Sequence, residues 1–164
     1  MKVMRFVLIA LLAMPAQLAA QRATQSTAAP IESVLLRFQI IEADGFTATD
    51  PAIADVAQAL RDLFRFRGYR LAAESVVRVT SGADYRQRTT DIDGTEYIIG
   101  GVAHIREAGG TSAVRLEVNL WRGNGQELIR TSLTVPVGQT VVVGSARAAG
   151  ELPVVILVVR PEAR

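Results

Sequence analysis

The chain has 164 residues, with 18 Lys+Arg against 16 Asp+Glu, one His and no Cys. The absence of Cys excludes a disulfide framework, a thiolate metal centre, a cysteine nucleophile and a lipid-modified N-terminal Cys. The basic excess resides in Lys2 and Arg5, and the remainder carries 16 basic and 16 acidic side chains. That balance does not argue for nucleic acid or an anionic membrane surface as partner.

Lys2 and Arg5 open a secretory pattern. They form a positive segment, Phe6 to Met14 is uncharged and apolar, Pro15 interrupts it, and Ala16 to Gln21 supplies small residues with a cut favoured after Ala20. The apolar run is short for a membrane span, which needs about 20 residues. Residues 1–20 therefore read as a cleaved signal peptide with no transmembrane segment after it, and the protein is expected to be periplasmic or secreted. Arg22 to Pro30 is small and polar, so residues 21–32 read as a flexible linker. Residues 33–162 remain as a single domain, long enough to bury a core without disulfides.

Val34 to Ala43 is predicted as the first strand, because Leu36, Phe38 and Ile40 alternate with Arg37 and Gln39. Asp50-Pro51 opens a helix, Asp50 as cap and Pro51 as first residue. Ile53, Val56, Ala57, Leu60, Leu63 and Phe64 make one apolar stripe, Arg61 and Arg65 sit near the C-terminal end of the dipole, and Gly68 is the expected stop. Tyr69 to Val79 reads as a strand with an interruption near Ala72-Ala73-Glu74. Ser81 to Asp84 turns the chain, and Tyr85 to Ile92 is polar enough to suit only a sheet edge. Asp93-Gly94 is a hairpin turn, and Glu96 to Arg106 returns. After Gly109-Gly110, Val114, Leu116, Val118 and Leu120 alternate with Arg115, Glu117 and Asn119. Gly123 to Gly125 leads into Leu128 to Val135, Pro136 to Gly138 breaks the chain, and Thr140 to Val143 follows. Leu152 to Val159 is apolar on both faces and belongs at the centre of a sheet. The fold class is therefore α+β: a mainly antiparallel sheet with one amphipathic helix on one face.

Candidate chemistry is sparse. His104 lies in a predicted strand between Val102 and Ile105 and reads as a packed or surface histidine, since one His without Cys does not complete a usual zinc site. Asp91-Ile92-Asp93-Gly94-Thr95-Glu96 resembles part of a calcium loop but lacks the EF-hand spacing, and reads as a hairpin tip. Gly144-Ser145-Ala146 is not a nucleophile elbow. Glu42 and Asp44 form a potential carboxylate pair at a strand end, where charges are usually solvated. Gly100-Gly101 and Gly109-Gly110 open no helix and are not phosphate loops; Gly100-Gly101 suits a bulge or bend. Phe64-Arg65-Phe66-Arg67-Gly68-Tyr69-Arg70 interleaves rings with cations, and reads as rings inward and Arg outward rather than as a nucleic-acid surface. No catalytic, cofactor-binding or metal-binding residue is assigned.

Two segments near the C-terminus resemble the closing portion of bacterial secretins, the outer-membrane ring proteins of type II and type III secretion and type IV pili. They are Thr131 to Gly144, with the run Gly138-Gln139-Thr140-Val141-Val142-Val143-Gly144, and Val155-Ile156-Leu157-Val158-Val159-Arg160-Pro161. Ser145 stands where secretins usually carry a second Gly, and only Ala146 to Leu152 lies where they carry long membrane-spanning hairpins. The unit Asp50 to Val79 is similar to the small periplasmic modules that precede secretin barrels. The resemblance implies a secretin-like periplasmic module that docks on an envelope protein or on copies of itself and is not an enzyme. A periplasmic small-ligand or lipid carrier, its helix closing over a curved sheet, is the alternative expectation; an exported hydrolase, with His104 as base, is the third.

Overall fold

The computed structural model describes residues 33–108, 110–147 and 153–163. The signal peptide and linker expected over residues 1–32, the first glycine of the Gly109-Gly110 turn and the start of the predicted last strand at Leu152 lie outside the described residues.

The strands are β1 (Ser33–Ala43), β2 (Tyr69–Thr80), β3 (Asp84–Thr90), β4 (Glu96–Ala108), β5 (Thr111–Arg122), β6 (Glu127–Pro136), β7 (Val141–Ala146) and β8 (Val154–Glu162). A 3-10 turn (Pro51–Ile53) and one helix, α1 (Ala57–Leu63), lie between β1 and β2. The expected single sheet is instead two four-stranded antiparallel sheets, ordered β2-β1-β8-β7 and β3-β4-β5-β6. The reason is the hydrophobic pattern. The amphipathic strands of the second sheet each have one apolar face, and that face needs a cover larger than one short helix.

Alternation along each strand sorts its side chains between the layers. From β1, Val34, Leu36, Phe38 and Ile40 enter the core between the sheets, where they meet Tyr97, Ile99 and Ala103 of β4 and Val114, Leu116, Val118 and Leu120 of β5. Phe38 stacks on Tyr85 across the two sheets, with ring centroids 5.8 Å apart. The doubly apolar strand β8 lies between β1 and β7, as its composition predicts. Val155, Leu157 and Val159 face the inner core. Val154, Ile156 and Val158 face the opposite way and join Ile41, Ala43, Ile53, Val56, Leu60 and Tyr69 in a second apolar cluster. Each fully buried side chain of this kind contributes about 1.5–3 kcal/mol. The interruption expected near Ala72 is a register shift, with Ile40 opposite Ala73 and Ile41 opposite Leu71. It lets consecutive residues Ala72 and Ala73 of β2 both join the inner core. The first sheet, with helix α1 on its outer face, is the helix-side sheet below; the second is the open sheet.

The helix departs from expectation. Asp50 caps as read, its carboxylate accepting from Ala52 N at 2.9 Å. The turn at Pro51–Ile53 is 3-10, and the α helix spans only Ala57–Leu63. Phe64 is already extended (φ −131°, ψ 140°), so Phe64 and Arg65 lie beyond the helix. The stop does not come from Gly68. The Tyr69 hydroxyl, which donates toward Leu60 O at 3.0 Å and Phe64 O at 2.9 Å, holds the end of the last turn against β2. Gly68 instead permits a close chain crossing. A Cβ there would lie 2.3 Å from Ala48 O, so only glycine fits. Leu63, expected in the buried stripe, is 61% exposed.

Candidate functional site

The outward positions of the open sheet form a surface that no element among the described residues covers. Register puts Arg86 of β3 opposite Gly100 of β4, Gly100 opposite Asn119 of β5, and Asn119 opposite Arg130 of β6. One step away, Ile98 faces Trp121. Gly100 leaves space that the Trp121 ring fills, and a Cβ at that position would sit 3.4 Å from the ring. The Arg86 guanidinium lies over the Trp121 ring, 5.6 Å from its centroid, in cation–π geometry. Gly101 permits a second close approach, since a Cβ there would be 1.7 Å from Glu117 O. The Tyr85 hydroxyl also donates to that carbonyl at 3.1 Å. Neither the β3–β4 nor the β4–β5 register shifts at these glycines. The bulge or bend expected there is therefore close backbone and ring approach within a continuous strand.

Two shallow depressions follow from this arrangement. One, of about 340 Å³, is floored by Gly100 and Gly101 and walled by Arg86 and Trp121; the other, of about 490 Å³, lies beside Arg130 and Ser132. Glu117 and Asn119 border both, so they form one groove across the sheet. Its chemistry is an aromatic ring, guanidinium groups, an amide and a carboxylate on a rigid floor. That set can stack, donate and accept.

A second polar group lies where the two sheets meet. Glu42, expected to be solvated, is 4% exposed. Arg70 holds it through Nη2 at 2.5 Å and Nε at 3.2 Å, and the same Nη2 reaches Asp93 of the β3–β4 hairpin at 2.5 Å. The guanidinium also sits 4.9 Å over the Phe46 ring. Burial of Glu42 follows from its inward position on β1, and Arg70 compensates the charge. Asp44 is not its carboxylate partner, since Asp44 pairs with Arg147. Nearby, the Tyr97 hydroxyl is pushed up to about 12 by burial, with the Glu42 and Asp91 carboxylates adding to the effect and Arg122 opposing it.

The Asp91–Glu96 segment is the hairpin tip that its Asp-Gly pair suggests. Asp91 Oδ1 accepts from Asp93 N at 2.9 Å and Thr95 N at 2.7 Å, and Gly94 takes φ +86°. Among the described residues no group of three or more His, Asp or Glu is placed to hold a metal. His104 is exposed on the open sheet opposite Arg115. Ser145 is exposed on β7 opposite Ile156. In the Phe64–Arg70 segment, Phe64 stacks on Phe66, Phe66 meets Tyr69 edge-on, and Arg65 and Arg67 are exposed. Arg70 departs from the outward reading by turning onto Glu42.

Sequence reasoning alone misses Trp121 and the β7 edge. The alternation of β5 contains the signal for Trp121: with Arg115, Glu117 and Asn119 outward, Trp121 falls on the solvent side. The segments that resemble secretins occupy the end of β6, the following turn, β7 and β8. No protein-family model, no curated protein and no solved structure matches the chain.

Proposed function

We propose that this chain is an exported, non-enzymatic cell-envelope protein, a secretin-like module that works by binding a partner protein through the outer face of its open sheet. The observation that carries this reading is Trp121, the chain's one tryptophan, set outward over Gly100 with Arg86 stacked upon it. Trp and Arg are the residues that most often dominate the free energy of protein contacts, and a rigid sheet presents them at little entropic cost. The Glu117–Asn119 groove beside them supplies directional hydrogen bonds at the rim of such a contact. The secretory leader and the secretin resemblance support an envelope setting.

The test is affinity capture from an envelope fraction, with the bound protein identified by mass spectrometry and its binding repeated with purified components. The parent chain should retain one partner that the Trp121→Ala and Arg86→Ala chains lose by about tenfold or more in affinity. Equal capture by parent and Trp121→Ala would refute the open sheet as the contact face.

A further inference from the structure

Each sheet has two edge strands, and three of these four edges carry devices that deter strand addition. On β2 they are Arg70, Glu74 and Arg78; on β3, Asp84, Arg86 and Arg88; on β6, Glu127, Arg130 and the terminal Pro136. The fourth edge, β7, reads Val141-Val142-Val143-Gly144-Ser145-Ala146, with no charge and no proline. Its one irregularity is a register shift against β8 between Val142 and Gly144. Alongside it, Val56, Ala59 and Leu63 of the helical segment and Val141 and Val142 line a mainly apolar groove of about 340 Å³ with Asp55 on its rim. Leu63 is one of three exposed large hydrophobic residues among those described.

We infer that β7 and this groove form a two-fold contact with a second copy of the chain, the two β7 strands running antiparallel. This goes beyond the contact reading above, because it concerns the edge of the other sheet. Antiparallel pairing of a strand with its own copy places the two-fold axis perpendicular to the sheet. Such an axis leaves both α1 helices on the same side of the joined sheet. The two grooves then open toward each other across the seam, and the second copy covers Leu63.

Charge selects the same arrangement. Reversing strand direction brings Arg147 of the second copy, just past the end of its β7, to the Thr140–Val142 end of the first β7. Asp55 lies at that end; Arg147 pairs with Asp44 of its own chain yet is 45% exposed, so its remaining N–H donors can also face Asp55 of the other copy, once at each end of the seam. The bulge limits strand pairing to short stretches on either side of Val143, and helix-to-helix burial in the groove supplies the remaining contact.

Sedimentation equilibrium of the purified full chain tests this. The parent is expected to form a reversible dimer. Ser145→Lys places a charge at an exposed position on the edge, and Leu63→Glu places one in the groove; each should raise the dimer dissociation constant about tenfold or more, with an unchanged thermal midpoint at a concentration low enough for the parent to be monomeric. Asp55→Arg should weaken the dimer, and Asp55→Arg with Arg147→Glu should restore it. Ile92→Glu, at the 72% exposed tip of the β3–β4 hairpin, should leave it intact. A parent that stays monomeric at every concentration overturns the inference, as does a dimer indifferent to both Ser145→Lys and Leu63→Glu. In either case an envelope partner captured through Trp121 would leave the contact reading standing, and its absence would remove both.

Discussion

The helix-side sheet carries a second hydrophobic layer outside the sandwich, whereas the open sheet presents its outer face directly to solvent. On the first, Ile41, Ala43, Val154, Ile156 and Val158 are sealed beneath Ile53, Val56, Leu60 and Tyr69. On the second, equivalent outward positions hold Arg86, Gly100, Asn119, Glu117, Trp121 and Arg130. The difference teaches where each face places its side chains. One uses apolar bulk and gains stability, and the other leaves polar groups and one large ring at the surface. The two sheets also share a joint, the Glu42–Arg70–Asp93 group, which ties β1 and β2 to the β3–β4 hairpin.

The contrast can be broken at several points. The largest effect is expected from Leu60→Ala on the covered face, which should lower unfolding free energy by about 3 kcal/mol in a urea titration, as buried Leu truncations do. A loss below about 1 kcal/mol would mean the helix layer is not part of the cooperative core. Arg70→Ala strands the Glu42 carboxylate in the interior and should cost about 2 kcal/mol, less than for a fully enclosed pair, because Arg70 keeps partial solvent contact. The double variant with Glu42→Gln should recover part of the loss, and an additive double variant would show that the two side chains do not act together.

A pH titration comes next in size. Burial holds the Tyr97 hydroxyl at about 12 and also raises that of Tyr85. The folded state therefore keeps these protons more tightly than the unfolded chain, whose tyrosines titrate near about 10. Their contribution to stability should be constant below pH ~10 and should fall as pH rises from there toward ~12. Thermal midpoints for Tyr97→Phe should show a shallower alkaline decline; an identical decline would place the titrating group elsewhere. The smallest stability change is expected for Trp121→Ala on the open face, about 1 kcal/mol or less, although partner binding falls sharply. A large stability loss with intact binding would reverse the roles assigned to the two faces.

Much of this architecture is legible in the chain. The outward and inward series of β5 follows from strict alternation between Val114 and Leu120. The edge position of β3 follows from its polar residues, and the central position of β8 from a run that is apolar on both faces. Sheet number is not legible, because alternation says that a face is buried without saying what buries it. The helix reads too long for a related reason: Leu63 and Phe64 continue the 3.6-residue stripe, but the Tyr69 hydroxyl, a tertiary contact, holds the end of the last turn at Leu63. Glu42 misleads because a strand end looks solvated until the opposite sheet covers it. The Arg86–Trp121 stack depends on the pairing of β3 with β4 and β4 with β5, which no local pattern states. Gly100 offers a hint only as a small residue in a strand.

The position of β8 has a consequence for how the molecule comes into being. The strand closest to the C-terminus fills the middle of the helix-side sheet, bonded to β1 on one side and β7 on the other. It also contributes to both apolar clusters. Until that strand emerges, β1 lacks one neighbour, β7 has no partner and the helix has no complete floor. The helix-side sheet therefore closes only after β8 has been made, whereas β3 to β6, each paired with its neighbour in sequence, need no strand from beyond β6.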